Sequence, residues 1–257
     1  MPAWSQVIAS PSAVLLAGLF SGHILADFLA QTSHLAARKR ESARAMLLHG
    51  LVTLGVHLAC VLPFWNPEVI AGVIAISLLH LSLDALRARI DPRWKQPLLS
   101  LLTDQGIHAV ILIACWARIA GTGAPARGWV DFDPDWMPAA ARLLLLASGF
   151  VFNGKGGTSI VRALLQRFPL AVPAARAGAE DAYATGRVIG CLERFIVLGL
   201  VLLDQWAAIG LVLAAKSIAR FKELDSQPFA DYYLIGTLTS MLVALSSGIL
   251  LRAVLLQ

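Results

Sequence analysis

The chain has 257 residues, 58% of them hydrophobic and only 14% charged, with a mean hydropathy of +0.71. Soluble domains hold roughly 45–50% apolar and about 25% charged residues, so this composition excludes a soluble enzyme, a disordered chain and a small disulfide scaffold. The predicted fold class is all-α, a polytopic transmembrane helical bundle, and the formal charge of +5 reads as Lys and Arg retained on the cytoplasmic side rather than as a nucleic-acid surface.

A spanning helix needs about 20 mostly apolar residues. The sequence offers eight candidates, near 13–31, 44–63, 67–87, 98–118, 137–153, 187–204, 206–222 and 231–256. No basic residue precedes the first, which contains His23 and Asp27, so it is expected to remain as a helix rather than to be cleaved as a signal peptide. Pro63 to Pro67 marks a short turn, and residues 119–136, which mix Gly, Pro and Asp, read as an exposed loop. The run Asn153-Gly-Lys155-Gly-Gly-Thr158 lacks phosphate-loop spacing and predicts a helix stop. Beyond it, Ile160, Val161, Leu164, Leu165 and Phe168 share a face opposite Arg162 and Gln166, the pattern of a short interfacial helix. Residues 169–186 form the longest polar linker and the one candidate boundary. Within a single membrane domain the chemistry divides into a half over 1–120 carrying His and Asp and a half over 121–257 carrying basic and Gly motifs. Asp204-Gln205-Trp206 separates the sixth and seventh segments, as a tight hairpin or as a break in one long element. Cys60, Cys115 and Cys191 fall in apolar runs and read as buried thiols.

Loop charge gives an orientation. Arg38, Lys39, Arg40 and Arg44 against Glu41 net +3, as do Arg87, Arg89, Arg93 and Lys95 against Asp91, and Lys155, Arg162, Arg167, Arg176 and Arg187 against Glu180 and Asp181. The alternate loops each net −1, from Glu68, from Arg118 and Arg127 against Asp131, Asp133 and Asp135, and from Asp204. The positive-inside rule predicts an inner-membrane protein with the first, third and fifth loops in the cytoplasm and both termini outside.

Ionisable residues inside spanning segments are rare and usually functional. Here they recur as His23-x3-Asp27, His80-x3-Asp84 and Asp104-x3-His108, with His49 and His57 on the second segment. Positions four apart share a helix face, so each pair can aim two ligands at one point. On the predicted topology His23, Asp27, His49, His80, Asp84, Asp104 and His108 fall in one layer near the cytoplasmic face. Four imidazoles and three carboxylates at one depth suffice for one or two divalent ions, zinc first among them. Neutralisation of the carboxylates by Arg87 or another cation is the competing expectation. His57 lies deeper and reads as packing, and His34 as interfacial. In the second half Glu193 is expected to pair with Lys216 or Arg220. Arg194, Lys216 and Arg220 can also form a basic mouth for an anionic, lipid-like substrate, and Gly186, Gly190 and Gly236 are expected to let helices approach closely.

His-Ile-Leu-Ala-Asp-Phe-x-x-Gln at 23–31, Leu-Leu-His-Gly at 47–50, His-x3-Asp at 80–84 and Thr-Asp-Gln-x-x-His at 103–108 resemble a family of bacterial membrane proteins known as domain of unknown function 3307. Gly-Arg-x-Ile-Gly-x-Leu-Glu-Arg and Ala-Ala-Lys-Ser-Ile-Ala-Arg-Phe are similar to its longer members, which commonly carry Lys where this chain has Arg87. The resemblance implies no activity. The His/Asp pattern is also similar to that of membrane-bound metal-dependent hydrolases. Three readings follow: a metal-dependent hydrolase of an amphipathic ester or phosphoester with Asp104 as general base, an ion or proton transporter, and a structural or regulatory membrane subunit whose polar layer specifies packing.

Overall fold

The computed structural model describes residues 10–90, 96–126, 136–168 and 179–255, without the side chains of 179–184 and 223. The described residues are 89% helical, with no strand among them. Its helices are α1 (Pro11–Ile24), α2 (Ser33–Arg38), α3 (Ala43–Cys60), α4 (Pro67–Ile90), α5 (Pro97–Ala120), α6 (Trp136–Val151), α7 (Gly157–Leu165), α8 (Ala179–Leu202), α9 (Trp206–Ala219) and α10 (Gln227–Leu255). It forms two compact units, one of Met1–Val151 with Val254–Gln257 and one of Phe152–Ala253.

The helix starts follow local chemistry. Pro11, Pro67 and Pro97 open their helices, where the missing N–H costs nothing. Ser10 caps α1 by accepting from the Ala13 N–H at 3.2 Å, and Asn66 accepts from the Val69 N–H at 3.0 Å. Asn66 also donates to the Ala124 carbonyl at 2.9 Å and so ties α4 to the turn after α5.

In the first unit α1 packs against α3, α5 and α6, and α3 against α4. Leu15, Leu19, Val61, Phe64, Val73 and Leu112 form its apolar core. Polar residues share that interior (His49, Thr53, His57, His80 and His108 are all 2% exposed or less) while Leu47, Leu51, Leu78 and Val110 face outward. Polar inside with apolar outside is what a lipid solvent selects. Six helices among the described residues are long and apolar enough to cross a membrane: Pro11–Ala30, Ala43–Cys60, Pro67–Ile90, Pro97–Ala120, Trp136–Leu165 and Gln227–Leu255.

Several sequence expectations change here. The sixth and seventh segments are not among the six spans. α8 and α9 meet in a tight turn where Asp204 adopts φ 61°, and Asp204 accepts from the Trp206 indole at 2.6 Å and from Arg252. Glu193 and Lys216, nearly equidistant from that turn in sequence, pair at 2.6 Å, which identifies a helical hairpin rather than one broken helix. The short helix expected near 160–168 is α7, which follows α6 and the π turn as the last part of a 30-residue helical segment, Trp136–Leu165. The helix stop expected at 153–158 is a π-helical turn, Phe152–Gly156, through which the chain stays helical. Part of the expected linker is helical from Ala179. Residues 169–178, the loop residues 127–135 and the charged stretch 91–95 lie outside the described residues.

Candidate metal centre

The first unit brings His23, Asp27, His49, His80, Asp84, Asp104 and His108 into one cluster inside α1, α3, α4 and α5. Its tightest part is a triangle: His49 Nε2 and His80 Nε2 are 3.0 Å apart, and Asp27 Oδ1 lies 3.5 Å from the first and 3.4 Å from the second. Asp84 Oδ2 stands 3.2 Å from His49 Nε2 and 3.6 Å from His80 Nε2. Ligands bound tetrahedrally at about 2.0–2.2 Å lie roughly 3.3–3.6 Å from one another; both distances from Asp27 fall in that range, and the His49–His80 edge is a few tenths of an ångström shorter.

Asp27 reaches this position through a local irregularity. Residues Leu25–Ala30 form a π turn at the end of α1, closed by the Gln31 N–H donating to the Ala26 carbonyl at 2.9 Å. Such a turn adds a residue to the helical repeat and is frequent at functional sites. His23 Nδ1 and Asp27 Oδ2 consequently stay 3.9 Å apart, looser than a hydrogen bond, while Oδ1 of Asp27 faces His49 and His80. The same turn delivers Gln31, whose amide nitrogen lies 3.2 Å from His49 Nδ1.

The other side of the cluster holds Asp104, His108 and His23. His108 Nδ1 lies 3.1 Å from the Asp104 carbonyl oxygen. A carbonyl only accepts, so Nδ1 carries the proton, and in the neutral ring Nε2 is the lone-pair nitrogen. That Nε2 is buried without a hydrogen-bond partner, as are Asp27 Oδ1 and Asp104 Oδ1. Buried polar atoms are nearly always paired, so three orphans in one cluster require an explanation. The His80 and His108 rings lie 4.2 Å apart and the His23 and His108 rings 5.0 Å apart. His23 Nε2 is 3.3 Å from Gln105 Oε1. Three ligand groups arise, His23–Asp27–His80, His49–His80–Asp84 and Asp84–Asp104–His108, each with ligand atoms within 4.8 Å of one another.

Two cations border the cluster. Lys39 Nζ lies 2.6 Å from Asp84 Oδ2, and Arg87 Nη1 lies 2.7 Å from Asp104 Oδ2 while its other terminal nitrogen donates to Ser100 at 2.5 Å. The sequence pointed to Arg87 but assigned Lys39 only to loop charge. Gln31 and Gln105 surfaced there only as letters of a resembling motif. His57 stays outside the ligand groups, its Nδ1 donating to the Thr53 carbonyl at 2.8 Å.

In the second unit, Arg194, Lys216 and Arg220 line one cavity of about 460 Å³, while Glu193 is bonded to Lys216 and does not line it. Arg194 is 3% exposed and grips the π turn. Its guanidinium donates to the carbonyls of Asn153 at 2.5 Å and Gly154 at 3.1 Å, to Thr158 Oγ1 at 2.6 Å and to Ser240 Oγ at 3.0 Å. The three glycines expected to bring helices together do not. Among the described residues a Cβ on Gly186 would meet nothing within 4 Å, one on Gly236 the tip of Leu165 at 3.8 Å, and one on Gly190 Arg194 at 3.5 Å. They widen the cavity instead.

No curated protein and no solved structure matches the chain. Residues 15–130, which hold every member of the His/Asp cluster, match the profile of a family described as "Protein of unknown function (DUF3307)", so that segment is similar to this family.

Proposed function

We propose that this is an inner-membrane protein whose first unit is a divalent-metal centre, with His49, His80 and Asp27 as ligands, and that the centre hydrolyses an ester or phosphoester of an amphipathic substrate. The observation that carries the reading is the triangle of His49 Nε2, His80 Nε2 and Asp27 Oδ1, with edges of 3.0, 3.4 and 3.5 Å and an unpaired buried carboxylate oxygen at one corner. Three protein ligands with a further coordination position are the pattern of catalytic rather than structural zinc sites. An ion held there supplies a polarised scissile bond and a water ionised near neutral pH. Asp84, 3.2 Å from His49 Nε2, completes the ligand set or orients that imidazole. Asp104 is the general base: Arg87 fixes its Oδ2, leaving Oδ1 to take the proton.

Orientation follows loop charge, with the cluster near the cytoplasmic face, both termini outside and the α8–α9 hairpin entering the membrane to bring the segments to eight. The alternative with its own observation is a packing role, favoured by Lys39 and Arg87, which offset two of the three carboxylates without an ion. The purified chain, loaded with zinc in micelles, decides by turnover of aryl ester and phosphodiester probes. Hydrolysis that falls at least 100-fold in Asp104→Asn, with zinc retained, is expected. Absence of turnover on every probe by a zinc-loaded wild type would leave the packing role.

A further inference from the structure

The second unit carries a site that the metal centre does not use. The ends of α7 and α9 and the beginnings of α8 and α10 surround the 460 Å³ cavity, so it lies at one end of the helices, where a bundle in a bilayer meets the headgroups. Arg162, Arg187, Arg194, Lys216 and Arg220 are among its lining residues, and no Asp or Glu is among the described residues that line it. Lys216 has a carboxylate partner in Glu193. Arg194 is different: it is buried, and the four bonds above are all to neutral oxygens. Glu193 acts on this guanidinium only through space, its hydrogen bonds satisfy it with neutral oxygens, and an anion at the cavity wall is a natural complement.

A second observation is independent of charge. The Tyr233 hydroxyl, on a residue lining the same cavity, is buried without a hydrogen-bond partner. Lys216 Nζ lies over its ring, 5.3 Å from the centre. A phenol buried in apolar surroundings normally finds an acceptor. The remaining walls are apolar (Val161, Leu165, Ile189 and Phe229), and the open faces at Gly186 and Gly236 leave room for more than an ion.

We infer that this cavity binds a phosphate group whose oxygens bond Tyr233 and lie among Arg194, Lys216 and Arg220, while the apolar walls take the chain that bears it. The inference uses no residue of the His/Asp cluster and stands whether or not that cluster binds an ion.

Calorimetric titration of the whole purified chain in uncharged micelles tests it with three probes: inorganic phosphate, dihexanoyl phosphatidate and dihexanoyl phosphatidylcholine. Phosphatidate is expected to bind at least tenfold more tightly than either of the others. Equal binding of inorganic phosphate would overturn the role of the apolar walls, and equal binding of phosphatidylcholine would overturn recognition of the anion. Gly236→Leu fills the cavity without altering a charge and is expected to weaken phosphatidate at least tenfold at the wild-type unfolding temperature. Tyr233→Phe and Arg220→Gln are expected to weaken it several-fold each, and a folded set of variants that all bind like wild type would refute the site.

Discussion

Asp27 concentrates the chemistry of the first unit into one atom. Its Oδ1 is buried, has no hydrogen-bond donor and lies within 3.5 Å of two imidazole nitrogens. An unpaired buried carboxylate costs several kcal/mol unless a charge or donor meets it. Lys39 separates the metal reading from the packing reading, because it holds Asp84 Oδ2 at 2.6 Å and so competes with any ion for that oxygen. Under the metal reading, Lys39→Met raises zinc affinity roughly tenfold in a competition titration. If Lys39 is only the partner of a buried ion pair, the same change costs about 3–5 kcal/mol of stability with no gain in affinity. The i, i+4 spacings in the sequence located six of the seven residues of the cluster, because a regular helix fixes which faces coincide, and the predicted depth of the second segment added His49. They did not give Lys39, since a loop lysine has no periodicity from which its partner can be read, nor the pairing of Asp27 with His49 and His80 in place of His23.

At the scale of elements, the two π turns explain most of what the sequence concealed. One re-aims Asp27 and Gln31; the other, Phe152–Gly156, carries the helix past three glycines where a stop was expected. Neither has a signature of its own in residue order, because each is held by contacts distant in sequence. The second depends on Arg194. Gly157 makes space for it, since a Cβ there would stand 2.7 Å from Arg194 Nε. Arg194→Ala removes the donors to the Asn153 and Gly154 carbonyls and is expected to speed hydrogen exchange at residues 152–158 while leaving α1–α5 protected. Lysine lacks the planar fork and is expected to restore little of that protection. Exchange unchanged in Arg194→Ala would show that the turn holds itself. In the first unit, α1 and α3 approach at Gly18, where an added Cβ would sit 2.7 Å from the Cys60 carbonyl oxygen. Backbone cannot yield as a side chain does, so Gly18→Ala is expected to destabilise by about 1–3 kcal/mol in denaturant melts. Gly55→Ala, with nothing within 4 Å of its Cβ, is expected to have no measurable cost.

For the whole molecule, composition alone indicated a helical membrane protein, because so apolar a chain can hide its surface only in lipid. The number of crossings was less legible. Hydropathy marked the sixth and seventh segments and the break at Asp204-Gln205-Trp206 but left open the hairpin that Asp204 turns between α8 and the 14-residue α9. Orientation rests on loop charge and is open to direct test. With the native thiols replaced, Glu68→Cys is expected to react with an impermeant maleimide on intact cells and Arg40→Cys only after lysis; the opposite pattern would invert the topology. The measurement closest to the central claim is the zinc content of the purified chain after equilibrium dialysis. About one ion per chain is expected for the wild type, and almost none for His80→Ala or Asp27→Ala. A wild type that binds no zinc and no other divalent ion, with Asp27→Ala as stable as the wild type, would contradict the account.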